Sequence, residues 1–299
     1  MKVRPYEGLH DLHAMLDLLS EGCKAKNGSH YVHRGDLQWW LFYTDTPEDV
    51  WRSEIRLWMD GDHLLGWALL SFEEKACDVF AHPELCGMQQ ENEMLAYAWN
   101  EMSAIDDLQV LWIDDKDDVR MRWLEQNGFV REEEHSVYFT RSLSEPVPAP
   151  VLPSGFSLRH SRGEADAKLR SVASHAAFSP NRDFEGYWPR TLRFIQSPVY
   201  VPEHERFVIS PNGDVASFCI IWTDEINKLG HFEPVATHPD HQRKGLGIAL
   251  LCDAMKKLQS EGMTEADVCT ASTNLPAIHL YESVGFHLTK RLLVFKKRK

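Results

Sequence analysis

The chain has 299 residues, of which 43% are hydrophobic and 26% charged, and its net charge is −13. Residues 1–145 contain 13 basic and 29 acidic side chains, whereas residues 146–299 contain 19 basic and 16 acidic ones. This composition is typical of a soluble globular protein with room for two domains, and the acidic first half argues against nucleic acid as a partner. The sequence contains no run of 18 apolar residues, so no membrane partner is predicted. Six scattered cysteines without a CxxC pair predict reduced thiols in the cytoplasm.

A proline-rich segment separates two similar halves of the chain. Residues 143–155 hold four prolines without helical or strand periodicity, which predicts an exposed linker. We therefore predict a first domain at residues 1–145, a linker at 146–154 and a second domain at 155–299. Similar residues recur at offsets of 155 to 157, namely Arg4, Gly8 and Asp11 as Arg159, Gly163 and Asp166, His82 as His238, and Gly128 as Gly285. This nearly constant spacing indicates two copies of one fold.

Each copy is predicted to contain a strand and helix, a middle stretch, a hairpin, and then further alternating strands and helices. In the second copy the predicted elements are strand Phe156–Arg159, helix Glu164–Ala177, hairpin strands Arg206–Ile209 and Val215–Trp222, strand His231–Thr237, helix Gly245–Glu261, strand Ala266–Thr270, helix Pro276–Val284 and strand Arg291–Lys296. This order predicts an α/β (α+β) fold class, with a mixed, partly antiparallel sheet flanked by helices in each domain.

A glycine-containing loop follows the strand His231–Thr237. Residues 242–247 read QRKGLG at the point where the chain enters a helix. Glycines let the backbone approach a ligand closely, and the N–H groups of the first helical turn have no internal partners, so the loop predicts an anion site. Arg243 and Lys244 add positive charge. The alternative is an ordinary helix start, and the spacing is neither that of a P-loop nor that of a dinucleotide-binding fingerprint.

The loop resembles the pyrophosphate loop Q/R-x-x-G-x-G/A of the GNAT superfamily of N-acetyltransferases, with Gln242, Gly245 and Gly247 at the matching positions. Residues 274–286, NLPAIHLYESVGF, are similar to the second signature of that family, an Asn loop followed by a Tyr helix that ends in Gly-Phe. The resemblance covers the second half and reaches the first through the repeat. It implies two tandem GNAT-like domains of bacterial type and acetyl-CoA as the acetyl donor.

The resemblance also implies a set of cofactor contacts. The strand before the loop would diverge from its neighbour, so that its backbone pairs with the pantetheine arm and one N–H group stabilises the developing oxyanion. The implied residues are Val235, Ala236 and Thr237 on the strand, Gln242, Arg243, Lys244, Gly245, Leu246, Gly247 and Ile248 at the loop, and Asn274, Ala277 and Tyr281 on the downstream segment. For Asn274, an ordinary helix N-cap is the alternative.

Two residues are implied to carry the catalysis. Tyr281 lies four residues before Gly285, where the family places the residue that faces the leaving sulfur; a core aromatic is the alternative. A phenol pKa of about 10 against about 8.5 for a thiol means that Tyr281 would stabilise the thiolate by hydrogen bonding as much as by proton transfer. Glu233, nine residues before Gln242, is the candidate general base. It could instead bind the cation of the acceptor or anchor the loop, with a water chain as base.

Three histidines surround the loop but do not predict a metal site. His231, His238 and His241 span a strand and a loop at a spacing without a recognised ligand geometry. A surface or capping role is the prediction for all three.

The first half lacks both chemical elements. The repeat offset puts Cys86, Gln89 and Glu91 where the second half has Gln242, Gly245 and Gly247, and Leu124 stands in place of Tyr281; the glycines are absent. We predict a degenerate, non-catalytic first domain that supports the second and forms one wall of the acceptor cleft.

The leading hypothesis is an acetyl-CoA-dependent N-acetyltransferase that acts on a small-molecule amine by direct attack in a ternary complex. The acceptor pocket is expected in residues 175–200, which are rich in aromatic side chains; half of these are expected in the core at helical spacing, and the rest along the pocket. The alternative is a non-catalytic acetyl-CoA-binding sensor or partner-binding protein. The sequence specifies neither the acceptor nor the oligomeric state.

Overall fold

The computed structural model describes residues 1–25 and 31–297. The strands are β1 (Lys2–Pro5), β2 (Ile55–Asp60), β3 (His63–Ser71), β4 (Ala76–Ala81), β5 (Gln109–Asp114), β6 (Phe129–Arg131), β7 (Ser136–Ser142), β8 (Ser157–His160), β9 (Glu205–Ile209), β10 (Val215–Asp224), β11 (Leu229–Thr237), β12 (Glu265–Ala271) and β13 (His287–Lys297). The α-helices are α1 (Leu9–Ala25), α2 (Arg34–Phe42), α3 (Glu48–Ser53), α4 (Gln89–Glu101), α5 (Asp118–Gln126), α6 (Ala167–Phe178), α7 (Phe184–Ile195), α8 (Leu246–Ser260) and α9 (Leu275–Ser283). Within these described ranges, none of the helices has the length and apolar character needed to cross a membrane.

The predicted α/β class with a mixed sheet is confirmed, but the sheets of the two halves are continuous. The strand order is β1-β2-β3-β4-β5-β13-β7-β12-β11-β10-β9-β8, and β6 pairs with β13 beside this path. Strands β4 and β5, and likewise β11 and β12, are parallel, whereas the other pairs are antiparallel. Strands of both halves therefore belong to one sheet.

The last strand of each half lies in the other half. Strand β13 pairs with β5, with Leu293 opposite Ile113, and β7 pairs with β12, with Tyr138 opposite Cys269. Strands β7 and β13 also pair with each other at the centre of the sheet. The exchange brings first-half residues of β7 into contact with the core of the second half.

The sequence repeat is a structural repeat. Arg4 donates two hydrogen bonds to the carboxylate of Asp11, at 2.7 and 2.6 Å, and Arg159 does the same to Asp166, at 2.6 and 2.9 Å. In each half this ion pair joins the first strand to the start of the first helix. Equal bidentate geometry at both positions is expected for two copies of one fold.

Helix α7 (Phe184–Ile195) was not predicted from the sequence. Pro189 lies inside it. Its start is stabilised by Asp183, whose side chain accepts the N–H of Gly186 at 2.8 Å. Tyr187 and Phe194, which were candidates for the acceptor pocket, are fully buried core residues of this helix.

The linker follows the surface of the second half. Residues 143–156 contain neither helix nor strand. Gln259 donates to the carbonyl of Leu143 at 2.7 Å, and Val147 and Leu152 pack against the core of the second half. The predicted domain boundaries themselves remain a prediction.

Candidate active site

Strands β11 and β12 pair only over their first part. Their parallel register runs from Leu229 opposite Glu265 to Phe232 opposite Val268, and beyond this point the two strands diverge. Strand β12 continues along β7, whereas β11 continues along β10 as far as Thr237. A wedge-shaped gap therefore opens beside residues 233–237, as the family resemblance implied.

The pairing of β11 with β10 decides which backbone groups face this gap. The N–H of His238 donates to the carbonyl of Ala216 at 2.9 Å. Hydrogen-bonded pairs alternate in an antiparallel ladder, so Ala236 points its backbone groups toward β10, and Val235 and Thr237 point theirs into the gap. Of the three residues that were predicted to pair with a pantetheine arm, Val235 and Thr237 have backbone groups that face the gap.

The glycine loop presents an open helix start to the same region. Helix α8 begins at Leu246, directly after Gly245, which has a left-handed φ of 77°. Among the residues that the structure describes, no side chain caps this helix, so its first-turn N–H groups remain available to an anion. Lys244 donates to the carbonyl of Asp240 at 2.8 Å, and Gln242 donates to the carbonyl of Thr237 at 3.3 Å. These two hydrogen bonds fix the conformation of the loop.

Gly247 has a packing role as well. A Cβ atom at this position would lie 3.1 Å from a methyl group of Leu280, so the missing side chain lets α8 and α9 approach closely. Asn274 is the N-cap of α9: its side chain accepts the N–H of Ala277 at 3.3 Å and donates to Thr270 at 3.1 Å. Asn274 thus has the capping role offered as its alternative, and its contact with a cofactor remains a prediction, as does that of Ala277.

Tyr281 lies on the inner face of α9 and is 4% exposed. Its ring packs 6.4 Å from that of Phe139, a first-half residue on the exchanged strand β7, and 6.3 Å from that of Phe286. Burial raises the pKa of Tyr281 well above its ordinary value, and the nearby Glu233 carboxylate raises it further. Tyr281 is therefore both a core aromatic and a neighbour of Glu233.

Glu233 lies where β11 leaves β12. Its backbone carbonyl accepts the indole N–H of Trp222 at 2.8 Å, which holds the strand beside a bulge in β10. Burial raises the pKa of the partly exposed Glu233 side chain to about 7, although the charge of His231 opposes this shift. A carboxyl group that is half ionised near neutral pH has the proton affinity required of a general base.

The sequence model of the Acetyltransferase (GNAT) family matches residues 172–286. This segment belongs to the GNAT family of acetyltransferases. The chain is similar to the mycothiol acetyltransferase of Segniliparus rotundus, at 28% identity over 147 residues, which are 47% of this chain and about half, 55%, of that protein. It is 25% identical to the mycothiol acetyltransferase of Streptomyces coelicolor over 284 residues, covering 91% of this chain and 87% of the relative.

The fold of the whole chain is that of a tandem GNAT protein. It superposes on the tandem GNAT protein from the clavulanic acid biosynthesis pathway with a TM-score of 0.69 at 15% identity, covering 99% of this chain and 97% of the other. The prediction of two tandem GNAT-like halves is confirmed. At this identity the similarity is one of fold.

A buried charge cluster lies beside Glu233, where β11 leaves β12. His231 is fully buried, with Nδ1 2.6 Å from Asp267 and Nε2 3.1 Å from Asp36. Two carboxylates hold the pKa of His231 well above its ordinary value despite the burial, so the ring is an imidazolium. Asp36 comes from the first half and also accepts the hydroxyl of Tyr138 at 2.9 Å. The prediction of a surface or capping role for His231 is wrong.

His238 differs from His231: it accepts the N–H of Asp240 at 3.2 Å and so has the predicted capping role. Within residues 1–25 and 31–297, no group of three or more His, Cys, Asp or Glu side chains could hold a metal ion.

We expect Asp36→Asn to lower the free energy of unfolding by about 3 kcal/mol, because it leaves the imidazolium of His231 buried with one carboxylate in place of two. Urea unfolding followed by circular dichroism measures the change. Asp62→Asn, at an exposed turn of the same half, is the matched control and should stay within about 0.5 kcal/mol of the native protein. A loss equal to that of the control would show that Asp36 does not stabilise the contact between the halves.

In the first half, the counterpart of the GNAT gap is filled by protein. Arg120 occupies the repeat position of Ala277, and its fully buried guanidinium donates to the carbonyl of Val79 at 3.2 Å. Val79 is the counterpart of Val235, whose carbonyl faces the open gap in the second half. An internal side chain thus pairs with the backbone that a pantetheine arm would contact.

The anion position of the first half is filled in the same way. Glu91, the counterpart of Gly247, accepts the N–H of Gly87 at 2.6 Å and a hydrogen bond from Arg120 at 2.5 Å. The hydroxyl of Tyr31 donates to the carbonyl of Ala81 at 2.8 Å. Leu124, in place of Tyr281, is fully buried in the core. These contacts use up the groups that would otherwise meet a cofactor.

Proposed function

We propose that the chain is an acetyl-CoA-dependent N-acetyltransferase that transfers an acetyl group to the amine of a small-molecule acceptor by direct attack in a ternary complex. The observation that carries this proposal is the convergence of three features at the β11–β12 gap. These are backbone groups of Val235 and Thr237 that face the gap, the uncapped start of α8, and the neighbouring Tyr281 and Glu233.

The cofactor would be held mostly by backbone. N–H groups at the start of α8 suit a pyrophosphate, since the helix dipole and unpaired donors point outward there. The exposed Arg243 adds positive charge. The Val235 and Thr237 backbone would pair with the amide groups of the pantetheine arm as a neighbouring strand does.

The catalytic roles follow from the surroundings of two side chains. Bound acetyl-CoA supplies the acetyl group and a thiolate leaving group. Glu233 takes a proton from the ammonium form of the acceptor, and the free amine then attacks the thioester carbonyl while a backbone N–H of β11 stabilises the oxyanion. The C–N bond forms, the C–S bond breaks, and the hydroxyl of Tyr281 donates a hydrogen bond to the departing thiolate. Glu233 passes the first amine proton to solvent before the attack and then takes the second proton from the acylated nitrogen, and the thiolate takes up a proton from solvent.

The first half is proposed to be non-catalytic, because Arg120 and Glu91 occupy its cofactor positions. Its roles in this proposal are to complete the buried cluster through Asp36 and to support Tyr281 through Phe139. A cytoplasmic location is part of the proposal, since all six cysteines are free thiols.

Release of free thiol from acetyl-CoA in the presence of a panel of amines tests the proposal. The panel should include the acceptor of mycothiol acetyltransferase, the activity named for the relatives. Turnover with at least one amine is the expected result. Saturable acetyl-CoA binding without turnover for any amine would favour the alternative, a non-catalytic acetyl-CoA-binding sensor.

We expect Arg243→Glu to weaken acetyl-CoA binding about 30-fold, because it puts a negative charge beside the start of α8 where the pyrophosphate would bind. Isothermal titration calorimetry measures the affinity. Lys256→Glu is the matched control: it makes the same charge change at an exposed position of α8 near the other end of the helix, and should change Kd by less than about twofold. Equal effects of the two variants would contradict the proposed pyrophosphate position.

A further inference from the structure

A second cavity lies in the first half. Its volume is about 380 Å³, within the range of small-molecule sites, and it is bounded by α2, α3 and strands β3 to β5. The residues that set its chemistry are four carboxylic acids and four tryptophans: Glu54, Glu73, Glu74, Asp78, Trp39, Trp40, Trp51 and Trp112. Among the described residues that line it, none is a lysine, an arginine or a histidine. This lining attracts positive charge.

Asp78 is the buried polar group of this cavity. It is 5% exposed, and its Oδ1 atom has no hydrogen-bond partner within the described part of the chain. Burial raises the pKa of the carboxyl group to about 7, although hydrogen bonding from the Leu111 backbone and the Trp112 side chain opposes this shift. The charge of Arg120 opposes that shift, although the two terminal nitrogens of its guanidinium already donate to Val79 and Glu91. Leaving one oxygen unpaired is costly, so a ligand donor at this point would be stabilising.

Trp40 and Trp112 form an aromatic wall of the cavity. Their rings stack with centroids 5.1 Å apart. Other lining rings already have cations near them, since the guanidinium of Arg52 lies 5.7 Å from Trp51 and that of Arg170 lies 5.8 Å from Trp39. Tryptophan faces attract cations, particularly where water is excluded. The Trp40–Trp112 pair therefore complements the carboxyl groups.

We propose that this cavity binds an organic ammonium cation, with the charged nitrogen at Asp78 and the alkyl groups against Trp40 and Trp112. Glu73 and Glu74 are exposed at the cavity and would attract the cation from solution. The excess of acidic over basic residues in residues 1–145, 29 against 13, adds a long-range field of the same sign. This site is formed by first-half residues and is additional to the proposed acetyl-transfer site.

The proposal is tested on the full chain by tryptophan fluorescence and calorimetry, with spermidine and tert-butylammonium as probes. We expect saturable binding of at least one probe, and much weaker binding of tert-butyl alcohol, which is neutral and similar in size to tert-butylammonium. Asp78→Asn should weaken binding about tenfold, and Glu73→Gln with Glu74→Gln about threefold. Asp118→Asn, at an exposed position of α5, is the control and should leave Kd unchanged.

The double variant keeps the test decisive if Asp78→Asn fails to fold, since Glu73 and Glu74 are both exposed. Arg243→Glu should retain full cation affinity, which separates this site from acetyl-CoA binding. Failure of both cations to saturate, equal binding of the neutral alcohol, or unchanged affinity in the folded cavity variants would overturn the proposal.

Discussion

Replacing Tyr281 with phenylalanine is expected to lower kcat for acetyl transfer about 100-fold or more, while the affinity for acetyl-CoA changes by less than about twofold. The substitution removes one hydroxyl from a ring that is 4% exposed and keeps the packing with Phe139 and Phe286. The fold should therefore be preserved. The effect should fall on the step in which the sulfur departs, because the hydroxyl then loses its role as the donor to the thiolate.

The raised pKa of Tyr281 sharpens this expectation. Burial and the Glu233 carboxylate both disfavour the phenolate, so the hydroxyl keeps its proton and acts as a hydrogen-bond donor at neutral pH. Full proton transfer to the sulfur would be less favourable than in water, and the stabilisation should come mainly from the hydrogen bond.

Steady-state kinetics of thiol release and calorimetry with acetyl-CoA separate the two effects. Tyr6→Phe is the matched control, because Tyr6 is a buried tyrosine of the first half that is 6% exposed. The control should keep kcat within about twofold of the native value. An unchanged kcat in Tyr281→Phe, with the native fold, would remove Tyr281 from the proposed mechanism.

The rate of acetyl transfer is expected to rise with pH through about 7, and Glu233→Gln should abolish this rise and lower kcat/KM about 100-fold or more. A general base works in its deprotonated form, so activity is low below the pKa of Glu233 and reaches a plateau above it. Burial places that pKa near 7 in the folded protein. The pH profile of kcat/KM for the native protein and for Glu233→Gln measures both expectations.

The same substitution should stabilise the protein at high pH. The folded-state pKa of Glu233 is raised from 4.5 to about 7, so the folded protein binds more protons than the unfolded chain between these values, and stability falls as pH rises through this window. Glu233→Gln should therefore raise the free energy of unfolding at pH 8 by on the order of 2 kcal/mol, and by little below pH 4.5.

A combined result distinguishes the roles that were open for Glu233. If Glu233→Gln loses activity and gains stability at pH 8, Glu233 acts as the base, and its buried carboxylate destabilises the folded protein. Lost stability would indicate the anchoring role, and a raised KM with unchanged kcat would indicate binding of the acceptor cation. Glu203→Gln, at an exposed position, should alter neither measurement.

Local features of the site followed from local sequence. The glycine loop and the start of α8 depend on a few neighbouring residues, and both were predicted near their observed positions. The N-cap role of Asn274 was the alternative offered for that residue. The repeat of Arg4 and Asp11 as Arg159 and Asp166 also followed, because a bidentate ion pair requires both partners in each copy. The role of His231 could not be predicted from neighbouring residues, because its partners Asp36 and Asp267 lie 195 and 36 residues away in the chain.

The sequence by itself determined the α/β class, the repeat, the glycine loop and the loss of that loop in the first half, because these are set by periodicity, glycine conformation and residue spacing. Only the tertiary structure decided that β7 and β13 are exchanged between the halves, that Val235 and Thr237 rather than Ala236 face the gap, and that Asp36 reaches His231. A strand pattern specifies which face of a strand is buried, but not which strand lies beside it. That choice depends on contacts between residues far apart in the chain, and these contacts form only when both halves have folded together.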